Sequence, residues 1–202
     1  MWCMADLHSG PRTSPVEFGA VLLAAGRSTR LGREKASLEV KGVPLWSRQQ
    51  DVLLRAGARE VLFSVRPDQQ WVPPDATVVY DAAPDLGPFG GLIAALERIQ
   101  QSHLAVLAVD LPRMQPAWFS ALLALCAPGV GAVGHRENFY EPLAAIYPRE
   151  LLPPARAGLA RRDLSLQHLI ASACAQGFMR PREISPDEAP LFTNWNNAGD
   201  MG

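Results

Sequence analysis

Lysine is almost absent from this chain: 17 of its 19 basic residues are arginine, and only Lys35 and Lys41 are lysine. The 20 acidic residues bring the formal charge to -1, so the balance gives no reason to expect nucleic acid or an anionic membrane as a partner. Cysteine is scarce too. Cys3, Cys126 and Cys174 are odd in number and far apart, which fits neither a disulfide framework nor a zinc-type spacing and suits a reducing cytoplasm. No apolar run approaches the ~18 residues of a transmembrane helix. Residues 1–16, with Asp6, His8, Pro11 and Arg12, lack the apolar core of a signal peptide. They are expected to form a flexible leader ahead of one domain over 17–202. The histidines are scattered, and no Ser-His-Asp order or nucleophile elbow is present, so His103 and His168 receive no catalytic role.

What is present is a globular composition, 48% hydrophobic, in which short apolar runs alternate with longer amphipathic ones. Strands are expected at 19–24, 60–65, 77–80, 104–109 and 130–134. Helices are expected at 44–56, 91–101 and 116–126, the first with Pro44 in its opening turn and Gly57 at its end. This alternation predicts an α/β fold with a mainly parallel sheet. Beyond residue 135 a strand at 143–147, a helix at 164–175 capped by Asp163, and a strand at 178–184 complete the reading. The prolines at 153 and 154 mark a loop.

In a parallel α/β sheet, ligands bind beyond the carboxyl ends of the strands. The first strand runs into Ala25-Gly26-Arg27-Ser28-Thr29-Arg30-Leu31-Gly32-Arg33-Glu34-Lys35, with two glycines and four cations against one acid. Glycines let the backbone turn tightly and offer N–H groups to an anion, and the cations add charge-assisted bonds to phosphate. Neither a Walker A motif nor Gly-x-Gly-x-x-Gly is present. The fourth strand ends in Asp110-Leu111-Pro112, a carboxylate of the kind that holds Mg²⁺ together with substrate phosphates. The third runs into Asp81 and then Gly87-Pro88-Phe89-Gly90-Gly91. There, exposed peptide groups are expected to meet a flat nucleobase edge before a helix begins, with Asp81 accepting from base N–H donors. Glu141, beside Pro142 and ahead of a strand, and Asn194 with Asn196, around Trp195, either line a substrate pocket or bond local backbone.

These residues carry a resemblance. Residues 23–35 resemble the Leu-Ala-Gly/Ala-Gly-x-Ser-x-Arg-Met/Leu-Gly-x-x-Lys signature of the MobA-like nucleotidyltransferases. Lys41-Gly42-Val43-Pro44-Leu45-Trp46, the segments 87–91, 110–112 and 141–147, and Phe192-x-Asn194-x-Asn196 follow in that family's order. The likeness spans about residues 18–201, and its later motifs are similar to those of molybdenum cofactor guanylyltransferases.

The resemblance implies a single Rossmann-like three-layer α/β/α domain that uses GTP and Mg²⁺. Such an enzyme moves GMP to the terminal phosphate of molybdopterin cofactor and releases pyrophosphate, with transient contact to molybdoenzymes or cofactor-delivery proteins. By position, Leu23, Ala24, Ala25 and Gly26 would lie along the nucleotide. Arg30 and Lys35 would contact its phosphates, Asp81 with the Gly87-Pro88 turn would read guanine, and Asp110 would bind Mg²⁺. Glu141, Asn194 and Asn196 would face the acceptor. The chain departs from the pattern at three places. Ala25 replaces a glycine, which also suits cytidylyl relatives. Ser64-Val65-Arg66 stands where an asparagine is usual, and Asn197-Ala198-Gly199 replaces the closing Thr-Pro-Glu. A cytidylyl- or sugar-phosphate transferase and a non-catalytic nucleotide-binding paralogue remain as alternatives.

Overall fold

The structure is a computed structural model that describes residues 16–26, 34–81, 83 and 85–195. In chain order the elements are β1 (Phe18–Leu23), β2 (Glu39–Val40), β3 (Val43–Pro44), α1 (Leu45–Arg55), β4 (Val61–Ser64), β5 (Thr77–Val79) and α2 (Gly87–Arg98). There follow β6 (His103–Ala108), α3 (Pro116–Leu123), β7 (Gly131–Arg136), β8 (Phe139–Pro148), α4 (Leu152–Ala160), α5 (Leu166–Ala175) and β9 (Met179–Glu183). Seven strands form one sheet in the order β5-β4-β1-β6-β8-β7-β9. Only β8 runs antiparallel to its neighbours β6 and β7. The expected α/β class with a mainly parallel sheet is therefore the observed one.

Strand periodicity builds the three layers. Successive side chains point to opposite faces, and β1 is apolar on both. Ala20 and Leu22 join the core under α1 and α3, with Leu45, Leu53, Trp118 and Phe119. Val21 joins the opposite core under α2, α4 and α5, with Leu92, Leu96, Ala155 and Ile170. Burial on both faces is why the strands read as continuous apolar runs rather than alternating ones.

Several expectations are corrected. The segment 87–91 is not a loop ahead of a helix: α2 begins at Gly87, with Pro88 in its first turn, a position where the missing N–H costs nothing. Gly90 and Gly91 are buried and serve close packing. A Cβ on Gly90 would lie 2.7 Å from Asp81 Cγ, and one on Gly91 2.5 Å from Ser64 Oγ. The prolines at 153 and 154 likewise open α4 rather than marking a loop. Helix α5 is capped by Ser165, whose hydroxyl accepts from the His168 N–H. Asp163 instead accepts from the Ser165 N–H and pairs with the His168 ring. Glu141 lies inside β8, a ten-residue strand, rather than ahead of one. The hairpin of β2 and β3, not anticipated, turns at Lys41 and Gly42, both at positive φ.

Sheet order places the site. From β1 the chain moves outward to β4 and β5, then returns to the other side of β1 with β6. The crevice beyond the carboxyl ends of β1 and β6 is the topological switch point, where open α/β sheets bind ligands.

Candidate active site

A cleft of about 670 Å³ opens at that crevice. Among the described residues expected along a nucleotide, Leu23, Ala24, Ala25, Gly26, Lys35, Asp81, Gly87, Pro88 and Asp110 all line it. They come from three strand exits, those of β1, β5 and β6, from the turn at Lys35 and from the start of α2, and the parallel sheet brings them to one edge. Arg30 and Asn196 lie outside the described residues.

Lys35 opens a one-turn 3-10 helix after the first loop, and Asp110 follows β6. Lys35 Nζ stands 3.4 Å from Asp110 Oδ2, with both side chains about three-quarters buried. The loop carrying Asp110 is held from two sides. The Trp195 N–H donates to the Asp110 carbonyl at 3.1 Å, and Gln49 Nε2 of α1 donates to the Leu111 carbonyl. Trp195 is itself buried in the core beneath α1 and α3.

Asp81 occupies the far wall, beyond β5. Its Oδ1 is buried with no hydrogen-bond partner among the described residues. Burial pushes its carboxyl above the usual aspartate range. The absence of side chains at Gly90 leaves room for this carboxylate against the first turns of α2. An acceptor left without a donor in a cleft is a costly arrangement that a ligand N–H would relieve.

Glu141 does not line the cleft, although Leu143, two residues on, does. Burial raises the Glu141 pKa, and Arg136, 3.8 Å away, opposes the shift. Asn194 is exposed beside Trp195 and so sits next to the Asp110 loop without entering the cleft lining. Sequence reasoning missed Ser64, Arg66 and Tyr80, which also line the cleft. The available signal was their position at or just after the carboxyl ends of β4 and β5, which is where ligand-facing residues of a parallel sheet are found.

No cluster of three or more metal-ligating side chains occurs among the described residues, and no helix there is long and apolar enough to cross a membrane. Neither Cys126 nor Cys174 lines the cleft. Burial pushes the Cys126 thiol up to about 12 and raises Cys174 as well, which disfavours the thiolate at both.

A lysine and a carboxylate paired at the switch point of a mostly parallel sheet, beside a cleft lined by strand ends, mark a nucleotide-handling α/β enzyme. The comparisons make the class specific. Residues 20–176 match the MobA-like NTP transferase domain, and the chain belongs to that family as a nucleotidyltransferase. A relative from Opitutus terrae, described as "Probable molybdenum cofactor guanylyltransferase", is 39% identical over 90% of this chain and 91% of its own length. The crystal structure of molybdopterin-guanine dinucleotide biosynthesis protein A from Archaeoglobus fulgidus matches with a TM-score of 0.69 and 20% identity, over 91% of this chain and 94% of that one. A 2-C-methyl-D-erythritol 4-phosphate cytidylyltransferase from Thermus thermophilus matches with a TM-score of 0.65 and 18% identity, over 90% of this chain and 94% of that one. The shared fold therefore serves more than one base and acceptor.

Proposed function

We propose that this enzyme transfers GMP from GTP to the terminal phosphate of a molybdopterin cofactor and releases pyrophosphate. The observation that carries the choice of base is the buried, unpartnered Oδ1 of Asp81. Guanine presents N1–H and N2–H₂ side by side, a donor pair that one ionised carboxylate accepts in full. Cytosine offers only its N4–H₂ group beside two acceptors, and those would face the carboxylate unfavourably. The identity to a relative with the guanylyltransferase name over nine-tenths of the chain supports the same base and acceptor.

The chemistry follows from what faces the cleft. An acceptor phosphate oxygen is already anionic, so it needs no general base, and no histidine is among the described residues that line the site. Its attack forms a new O–Pα bond as the bond from Pα to the β-phosphate oxygen breaks, and pyrophosphate leaves with that electron pair. Lys35, which follows the loop, would receive the phosphates. Fixed positive charge there stabilises negative charge as it develops, without reorganisation. Asp110 is a single carboxylate at the strand exit, and one carboxylate completed by waters and substrate phosphates is a donor set that suits Mg²⁺. Bound there, the ion would neutralise charge across the phosphates. We place the reaction in the cytoplasm, which suits three cysteines whose number and spacing fit no disulfide framework.

The test is pyrophosphate release with GTP, CTP, ATP and UTP, each with and without molybdopterin cofactor, in the presence of Mg²⁺. Release that requires both GTP and the cofactor is the expected result. Equal or faster release with CTP would overturn the assignment of the base.

A further inference from the structure

Four acceptors converge on the guanidinium of Arg66, just beyond the end of β4. Its Nη1 donates to the carbonyls of Ala25 at 2.7 Å and Gly26 at 3.0 Å. Nη2 donates to Glu34 Oε1 at 2.9 Å and Nε to Asp68 Oδ1 at 3.1 Å. Gln69 reaches the same places: its Nε2 donates to the Ala24 carbonyl at 3.0 Å and to Glu34 Oε2 at 2.6 Å. Gln69 Oε1 in turn accepts from the Arg66 backbone N–H at 2.7 Å, which ties the two residues together.

We propose that Arg66 and Gln69 form a clamp that holds the two ends of the phosphate-binding loop in the geometry the nucleotide requires. Arg66 is a positioning residue and not a phosphate ligand. Four of the five N–H groups of its guanidinium are already directed at protein acceptors, and two carboxylates balance its charge. What it touches is the end of the loop at Ala25 and Gly26 and the other end at Glu34, the residue bonded to Lys35.

Two consequences follow from peptide geometry. In a planar trans peptide the N–H points opposite to the carbonyl it shares a plane with. Drawing the carbonyls of Ala24 and Ala25 toward Gln69 and Arg66 therefore turns the N–H groups of Ala25 and Gly26 away from the clamp, as an anion-binding backbone requires. Pinning Glu34 also fixes the backbone from which Lys35 reaches Asp110. Setting both ends before the ligand arrives removes an ordering cost that binding would otherwise carry. A lysine could not do this, because a point charge on a flexible stem does not bridge four separated acceptors in a fixed plane.

The inference rests on the nucleotidyltransferase reading, but not on which base is used. The experiment is calorimetric binding of GTP, CTP and inorganic triphosphate, with Mg²⁺, to wild type, Arg66→Ala, Arg66→Lys and Glu34→Gln, alongside thermal melts and steady-state turnover. The expected result is that Arg66→Ala weakens triphosphate and the preferred nucleotide alike, by about tenfold or more. Arg66→Lys fails to restore the affinity, and Glu34→Gln shows a smaller loss of the same kind. Arg59→Ala, which removes a surface pair with Glu17, leaves binding unchanged and controls for loss of an arginine. If wild type prefers CTP, the choice of base above fails while the clamp stands. Folded Arg66→Ala or Glu34→Gln protein with wild-type affinity for triphosphate overturns the clamp, as does full rescue by lysine.

Discussion

Lys35 and Asp110 are separated by 75 positions in sequence, yet their charged groups meet 3.4 Å apart across the switch point of the sheet. The pair joins the segment that follows the first loop to the exit of β6. In the proposed reaction the same ammonium would face phosphate oxygens, and the same carboxylate would hold Mg²⁺.

Asp110→Ala therefore removes most turnover, by about 10²-fold or more, as expected when a preorganised charge contact to the reacting groups is lost. Its melting temperature falls somewhat, because both side chains are about three-quarters buried and Lys35 loses a partner, so turnover is compared below that midpoint. Lys35→Arg keeps the charge but replaces a compact ammonium by a wide planar group, and turnover falls while nucleotide still binds. Pyrophosphate release and a thermal melt check both. If Lys35→Arg has wild-type activity, the survival of a lysine at this position in an arginine-rich chain has no chemical meaning.

Asp81 gives a pH dependence with a definite sign. Burial raises its pKa above the ordinary 3.8, so the fold favours the protonated form. The stability from this group is greatest at pH values below its unfolded pKa, and it is lost as pH rises through the folded pKa. Base recognition runs the other way, because the guanine donors need the carboxylate. Asp81→Asn should therefore melt no lower than wild type at neutral pH while binding GTP more weakly, by about 1.5–3 kcal/mol for hydrogen bonds to a charged group. In wild type, GTP affinity declines with acidification around a midpoint above that of a free aspartate. Calorimetry across a pH series reads this directly. A flat profile, or a GTP affinity unchanged in Asp81→Asn, rules out the carboxylate as the guanine reader.

The glycines of α2 tie fold to specificity. A Cβ at Gly90 would meet Asp81 Cγ at 2.7 Å and Leu86 Cβ at 2.8 Å, and one at Gly91 would meet Ser64 Oγ at 2.5 Å and Leu23 Cδ2 at 2.8 Å. Alanine at either position costs about 1–3 kcal/mol through overpacking, read as a lowered unfolding midpoint. The two differ in function. Gly90→Ala displaces the Asp81 carboxylate and narrows the preference for GTP over CTP, whereas Gly91→Ala acts through Leu23 and Ser64 and weakens both nucleotides together.

These glycines also show where the sequence was readable and where it was not. Buried parallel strands announce themselves as short apolar runs, and Lys35, Asp81 and Asp110, expected beyond them, all line one cleft. Glycine and proline misled, because their local preference is for turns, while Pro88 and Pro153 sit in first helical turns and Gly90 and Gly91 answer to tertiary contact. Nothing local marks Gly90 as the floor beneath a carboxylate nine residues earlier. The Arg66 clamp was hidden for a related reason. Its partners at Ala24, Ala25, Gly26 and Glu34 become neighbours only once β1 and β4 pair, and a carbonyl acceptor leaves no trace in residue identity.

Trp195 connects the end of the described chain to the catalytic edge. Its ring is buried at 8% exposure, and its N–H bonds the Asp110 carbonyl at 3.1 Å. Three residues earlier Phe192 packs edge-on against Trp118, ring centroids 4.9 Å apart, so the strap is anchored before it reaches the site. Trp195→Ala leaves a cavity and costs about 3–5 kcal/mol, a loss that lowers the melting temperature by roughly 2–4 °C per kcal/mol in a chain of this size. The backbone N–H remains, but the packing that aims it does not, and the Asp110 loop loses one of its two tethers. Turnover should therefore fall more than GTP affinity, which draws on Asp81 and the loop after β1 as well. Trp195→Phe keeps much of the packing and recovers most of both. Measured below the lowered melting point, a Trp195→Ala protein with wild-type kcat would show that Gln49 alone holds the Asp110 loop in place.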